Sequence, residues 1–232
     1  MDFNNNVHAI VPLFDGYEWW ITETTKNTWI VGGLLIIFAL IVRVKLKNFK
    51  QVPESNFQNI VELIVDSMDK FCMSNMGKAN RNFGVYFFGV FSFILCANLS
   101  AMFFLRPPTA DLATTMCLGL TTFVLIHVMG ITRKKAVYWK EFIEPVPLFL
   151  PINLISMLAI PMSLSFRLFG NLTGGVIVLG LVYGLLPWFM VVGIPAPLHF
   201  YFDLFAGCLQ AFIFTILSMT FIKQNIPDPE SV

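Results

Sequence analysis

Charge is what this chain has least of. Only 12% of its 232 residues are Asp, Glu, Lys or Arg, against roughly 25% in an average soluble domain. The formal net charge is +1, and no basic stripe runs along any segment, so a nucleic-acid partner is not expected. Cysteine is sparse too. Cys72, Cys96, Cys117 and Cys208 are scattered, with no CxxC and no Cys/His cluster, which argues against a disulfide framework and a zinc site. No metal and no cofactor are expected. The opening Met1-Asp2-Phe3-Asn4 has no basic stretch, so a cleaved signal peptide is not expected. HExxH, GxSxG and paired carboxylates on the apolar segments are all missing, which leaves a membrane-embedded hydrolase without its usual chemistry. Neither low-complexity tracts nor internal repeats occur.

What fills the space is apolar: 56% of the residues are hydrophobic and 25 are Phe. A helix crossing a bilayer needs about 20 such residues. The long uncharged runs predict spans over 28–44, 83–105, 112–132, 152–186 and 198–223. The expected fold is therefore an all-α membrane protein, a single membrane domain over 1–232 with about five embedded helices. Segment 54–76 differs. Phe57, Ile60, Val61, Ile64, Met68 and Phe71 recur at helical spacing, with Glu54, Glu62, Asp66, Asp69 and Lys70 between them. Ser55 after Pro53 is a candidate N-cap. This amphipathic helix lies on the inner membrane face, or packs on a partner as a short soluble helix.

Basic residues orient the spans. With Arg43–Lys50 in the cytoplasm, twelve of the fifteen Lys and Arg residues fall on the inner side. The N-terminus, the Arg106–Asp111 loop and the Pro187–Pro197 turn then lie outside, and the C-terminus lies in the cytoplasm. Trp19, Trp20 and Trp29 suit an outer aromatic belt.

Between Glu144 and Lys223 only Arg167 and Asp203 are charged. An arginine at a membrane-helix centre costs about 2.5–3.5 kcal/mol on insertion scales, and it cannot escape by losing its proton. Such a cation marks a functional site by default. Arg167 lies about 22 Å from Ile152 along its helix, and Gln210 about 20 Å from Lys223 along the next. In an antiparallel hairpin the two share a depth, with Asp203 two turns nearer the outside.

Polar and small residues continue both faces. Ser156, Ser163, Arg167, Asn171 and Gly174 line one helix; His199, Asp203, Gly207 and Gln210 line the other. Two facing stripes thinned by glycine make a hydrated path, with Gly174 and Gly175 leaving space opposite Asp203. The competing reading is small-residue packing, in which Gly170 and Gly174 let two backbones approach. Asn98, Ser100 and His127 are read as interhelix hydrogen bonders, and Asp111, after Pro107-Pro108-Thr109-Ala110, as a helix cap.

The segment Pro161-Met162-Ser163-Leu164-Ser165-Phe166-Arg167-Leu168-Phe169-Gly170-Asn171 closely resembles the signature of subunit a of the F-type rotary ATP synthase, bacterial type. Leu209-Gln210-Ala211-Phe212-Ile213-Phe214 and Pro108-Thr109-Ala110-Asp111-Leu112 match further family motifs, and the resemblance extends over essentially the whole chain. It implies a stator in the bacterial inner (plasma) membrane, multi-pass, which assembles with the c-subunit ring, the subunit b peripheral stalk and the remaining ATP synthase subunits. It also implies that the last two helices form a tilted hairpin against that ring. Arg167 then separates two aqueous half-channels and faces the ring's ion-binding carboxylates. Asn171 and Gln210 match polar residues beside it, and Asp203 falls in the outer half-channel.

Two positions depart from many relatives. Val176 stands where they carry an acid or His, and Asn153 where they carry Glu. The outer route then leans on Asp203 and His199, the inner on Asn153, Ser156 and water. The transported ion, proton or sodium, is set mainly by the ring. No bond chemistry is expected in this chain. The competing function is a self-contained transporter with broken helices, against which the lack of inverted repeats counts.

Overall fold

The computed structural model describes residues 7–12, 18–46, 55–103, 105–141, 147–187, 193 and 195–226. Five helical stretches are long and apolar enough to cross a membrane: Glu23–Leu46, Phe83–Phe103, Leu112–Lys134, Leu150–Leu185 and Pro195–Gln224. They match the five expected spans in number and order. The first is α1 (Glu23–Leu46), which begins five residues earlier than the hydropathy predicts because Glu23 and Thr24 suit a first turn. A short antiparallel hairpin precedes it, β1 (Val7–Pro12) with β2 (Glu18–Thr22), pairing Ile10 with Trp20 and Val11 with Trp19. The all-helical expectation did not include it. Its β-branched and aromatic residues favour strand pairing.

Helix α2 (Asn56–Met76) is the amphipathic segment. Ser55 occupies its N-cap position but its hydroxyl makes no capping bond, contrary to expectation; Pro53 and Glu54 lie outside the described residues. The C-terminal half of α2 joins the fold. Cys72 and Met76 are buried in a cluster with Phe87, Ile126, Met219 and Ile222, and Asp69 pairs with Arg81 at 2.8 Å. Burial, then the Asp69 charge, pushes the Cys72 thiol up. The N-terminal half leaves Ile60, Leu63 and Ile64 exposed, which suits an interface as expected.

The second span, α3 (Phe83–Leu99), tightens into a 3₁₀ turn over Ser100–Phe103. It therefore stops short of the expected Leu105, whose N–H bonds back to the Ser100 carbonyl. Pro107 and Pro108 follow and bar any continuation. The third span, α4 (Leu112–Lys134), is capped by Asp111, whose Oδ1 accepts the Ala113 N–H at 3.1 Å. Helix α5 (Ala136–Glu141) folds back so that the Tyr138 ring fills the space beside Gly130.

Helix α6 (Leu150–Leu185) runs 36 residues and packs most extensively on α4. At their crossing Gly119 faces Ser165 and the Pro161 carbonyl so closely that no Cβ fits. The last span is α7 (Pro195–His199), a π-helical segment (Phe200–Ala206) and α8 (Gly207–Gln224) in continuous succession. Ile94, Leu164, Leu168, Ala211 and Phe214 form the central cluster joining α3, α6 and α8.

The ends of the spans sort as the charge pattern requires. At one end Thr24 donates to Asp111 and Asn27 to the Arg106 carbonyl. At the other, Lys134 Nζ donates to the Gln224 carbonyl. The start of α1 thus shares a side with the Arg106–Asp111 loop, and the end of α4 shares the opposite side with the end of α8. The side chains of Trp19 and Trp20 lie outside the described residues; Trp29 is exposed.

Candidate ion path

Arg167 sits at the middle of α6, about 26 Å from either end at 1.5 Å per residue. It is the helix's only charge, and its side chain is exposed. Among the described residues it makes no hydrogen bond and no ion pair. Ser156 and Ser163 are exposed on the same helix and likewise without a side-chain bond among the described residues. Asn153 is half-buried near the start of α6, and Val176 half-buried about two and a half turns beyond Arg167.

The opposite face of α6 is closed. Pro161, Leu164, Ser165, Leu168 and Leu172 are buried there. Ser165 Oγ lies 2.7 Å from the Pro161 carbonyl and 3.0 Å from that of Thr115, so its one hydroxyl serves both α6 and α4. Leu164 and Leu168 flank Arg167 in sequence and share a cluster with Ala211, the neighbour of Gln210. The cluster joins the neighbourhoods of Arg167 and Gln210, but the two side chains differ in burial. Gln210 is 4% exposed, with its Nε2 buried and without a partner among the described residues.

Of the two stripes expected to face one another, Asn171 on α6 is the member bonded to the last span. Ser156, Ser163 and Arg167 are exposed, Asn171 and Gly174 half-buried, and the residues of the last span's stripe half-buried or buried. The last span's stripe runs through the π-helical segment, whose i→i+5 bonding departs from the 3.6-residue period on which the alignment of His199, Asp203, Gly207 and Gln210 was read.

Asp203 lies inside that segment. Its Oδ2 is 2.6 Å from His199 Nδ1, and His199 Nε2 is 3.0 Å from Tyr183 Oη on α6. One tautomer accounts for both ring nitrogens: the Tyr183 O–H donates to Nε2 while the Nδ1–H donates to the carboxylate. A phenol, an imidazole and a carboxylate thus form one continuous hydrogen-bonded chain across the top of the hairpin. Tyr183 carries no charge and stands in an apolar run, so the sequence reading missed it. A hairpin centred between Pro187 and Pro195 would have found it, since Tyr183 and His199 are equally far from residue 191.

The glycines divide. A Cβ on Gly175 would press on Phe202, the residue before Asp203, at 3.2 Å, so that space is filled by a ring. Gly170 and Gly174 have nothing within 4 Å of a built Cβ. They do not bring two backbones together here, and the small-residue packing reading fails for them; Gly174 is the open position expected. Close approach belongs instead to Gly119 and to Gly207, where a Cβ would lie 3.1 Å from Asn98 Cβ. Asn171 is half-buried and its Nδ2 donates to the Ala206 carbonyl at 3.2 Å.

The secondary polar residues also divide. Asn98 is an interhelix bonder as expected, donating to the Gly207 carbonyl at 2.8 Å. Ser100 and His127 are not: each bonds a carbonyl of its own segment, Ala97 and Phe123. His127 Nε2 and Thr173 Oγ1 are buried and without partners among the described residues. Among those residues no three His, Cys, Asp or Glu side chains cluster to hold a metal ion.

Known proteins resemble this chain over most of its length. The profile of the "ATP synthase A chain" family matches residues 26–223. "ATP synthase subunit a, sodium ion specific" of Propionigenium modestum is 36% identical over 231 residues, covering 92% of this chain and 77% of its own. "ATP synthase subunit a" of Solidesulfovibrio magneticus is 38% identical over 211 residues, covering 89% and 85%. The chloroplastic subunit a of the alga Stigeoclonium helveticum is 32% identical over 236 residues, covering 94% and 92%.

Proposed function

The chain belongs to the ATP synthase A chain family, a membrane-sector subunit, and from that premise we propose that it is the stator whose Arg167 couples ion flow to ring rotation. The observation that carries this reading is the exposed, unpartnered cation at mid-helix. A permanent charge there needs an anion, and the described residues offer none. The partner is a carboxylate on the rotating c-subunit ring. A loaded carboxylate is neutral and tolerates lipid. Near Arg167 the ionised form is favoured, so the ion leaves and the empty carboxylate passes without stranding its charge. A free ion meets repulsion from the same guanidinium, which blocks leakage between the two half-channels. The driving force is about 2.3 kcal/mol per elementary charge per 100 mV.

Asp203, His199 and Tyr183 form the outer half-channel's polar route, and Gln210 with Asn171 lies beside the arginine. Ser163, Ser156 and Asn153 line the inner route. The subunit itself makes no bonds; it works with the ring, subunit b and the rest of the complex. Its N-terminus is outside and its C-terminus cytoplasmic, in a bacterial inner membrane. The ion is a proton, which a phenol–imidazole–carboxylate chain passes along its hydrogen bonds whereas a sodium ion needs an oxygen cage. Sodium is the second reading, because a 36% identical relative is named sodium ion specific.

Three measurements test this. Arg167→Ala in the assembled complex abolishes ion-driven ATP synthesis; undiminished synthesis would sink the stator reading. Synthesis in liposomes under a proton gradient alone, against a sodium gradient alone, decides the ion. The purified chain by itself transports nothing, and transport without a ring would favour a self-contained carrier.

A further inference from the structure

A seven-residue π-helical run is uncommon, since most π geometry occurs as a single turn inside an α-helix. Something must fix where Phe200–Ala206 gives way to α8, and the structure places two side-chain amides at that junction. Asn171 Nδ2 of α6 donates to the Ala206 carbonyl at 3.2 Å. Asn98 Nδ2 of α3 donates to the next carbonyl, that of Gly207, at 2.8 Å. Two neighbouring helices thus grip two consecutive peptide units from different sides.

Asn98 is itself held at its other end. Thr109 Oγ1, in the 3₁₀ turn before α4, donates to Asn98 Oδ1 at 2.7 Å. Asn98 and Thr109 are both fully buried, so these bonds have no water to compete with them. A Cβ at residue 207 would lie 3.1 Å from Asn98 Cβ, so glycine there lets the amide come this close without either side giving way. Asp203 lies inside the π-helical segment and Gln210 beyond the junction, so the point where the period changes sets the angle between those two side chains.

We infer that Asn98 and Asn171 are positioning residues that clamp the π-to-α junction, with Thr109 holding Asn98, and thereby set the phase of Asp203 against Gln210. The inference rests on the proposed role of Asp203 in the outer route. It assigns Asn98 and Thr109 a part in ion access although neither touches the ion.

The test uses the complete ATP synthase in liposomes carrying Asn98→Leu, Thr109→Val or Thr109→Ser. ATP synthesis is measured against external ion concentration, varied as pH and as sodium, and separated into half-saturation and maximum rate. Asn98→Leu, which removes both the bond to the Gly207 carbonyl and the one from Thr109, raises the half-saturating concentration about tenfold. Thr109→Val shifts it the same way by a smaller factor, and Thr109→Ser, which keeps the hydroxyl, restores the wild-type value. A merely structural defect lowers the maximum rate with the amount of intact complex and leaves half-saturation alone. Should Asn98→Leu fail to assemble, Thr109→Val decides, because it exchanges one hydroxyl for a methyl group. An unchanged half-saturation in Thr109→Val overturns the clamp. If at the same time Arg167→Ala is inactive, the stator reading stands and only the clamp falls; if Arg167→Ala still makes ATP, it is the stator reading that fails.

Discussion

On one side of α6, Pro161, Leu164, Ser165, Leu168 and Leu172 are buried against the rest of the fold. On the other, Ser156, Ser163, Arg167 and Gly170 are exposed. The buried side settles its polarity within the chain: the Ser165 hydroxyl reaches carbonyls of its own helix and of α4. The exposed side leaves a guanidinium with no partner among the described residues. The difference teaches that the fold does not need Arg167. Nothing in the described core uses it, and its cost in an apolar setting is not offset among the described residues.

Breaking the exposed side alone gives the largest effect. Arg167→Ala removes ATP synthesis altogether while the subunit still assembles, as judged by its amount in the purified complex. A missing subunit would show that the fold does depend on the arginine and would end the contrast. Breaking the buried side does the reverse. Gly119→Leu forces a side chain into the Ser165 and Pro161 contact, an overpacking that costs about 3 kcal/mol or more where backbone must move. The expected result is loss of the subunit from the membrane, read by quantitative immunoblot; a normal level of active complex would mean that α4 and α6 do not meet there.

Smaller changes sharpen the comparison. Asp203→Asn keeps the shape of the residue bonded to His199 but removes a carboxylate, and slows ion uptake from outside about tenfold. Rates and pH dependence matching wild type would withdraw Asp203 from the route. Asp111→Ala loses the cap on α4 and the bond from Thr24, a loss of about 1 kcal/mol. A thermal-shift assay on the purified complex would register it as a slight drop with synthesis intact, and a loss of synthesis at full assembly would move Asp111 into the ion route.

Much of this was legible in the residues. Spans announce themselves because a bilayer demands length and freedom from charge, and both are properties of a linear string. The Asp111 cap follows from a Pro-rich lead into an apolar run, a local signal needing no knowledge of neighbours. Arg167 stood out as a lone cation for the same reason. Less legible was what a helical period carried across a distance would meet. His199, Asp203, Gly207 and Gln210 were aligned on 3.6 residues per turn, and between Phe200 and Ala206 the helix departs from that period. Tyr183 escaped because its role depends on a hydrogen bond across a turn. Gly174 and Gly175 alike promised open space, yet Gly175 meets the Phe202 ring and the tightest contacts lie at Gly119 and Gly207, since composition cannot say which glycine meets a neighbour.

By itself the sequence determined that this chain crosses a membrane, how many times, which residues are charged inside it, and which family it resembles. Those are matters of transfer energy and local pattern, and each can be summed along the chain. Only the tertiary structure decided which face of α6 is left open, which amides hold the last helix, and that a phenol, an imidazole and a carboxylate join into one chain. These are angular facts. They depend on how helices rotate against one another, and that rotation is fixed by packing between residues far apart in the sequence.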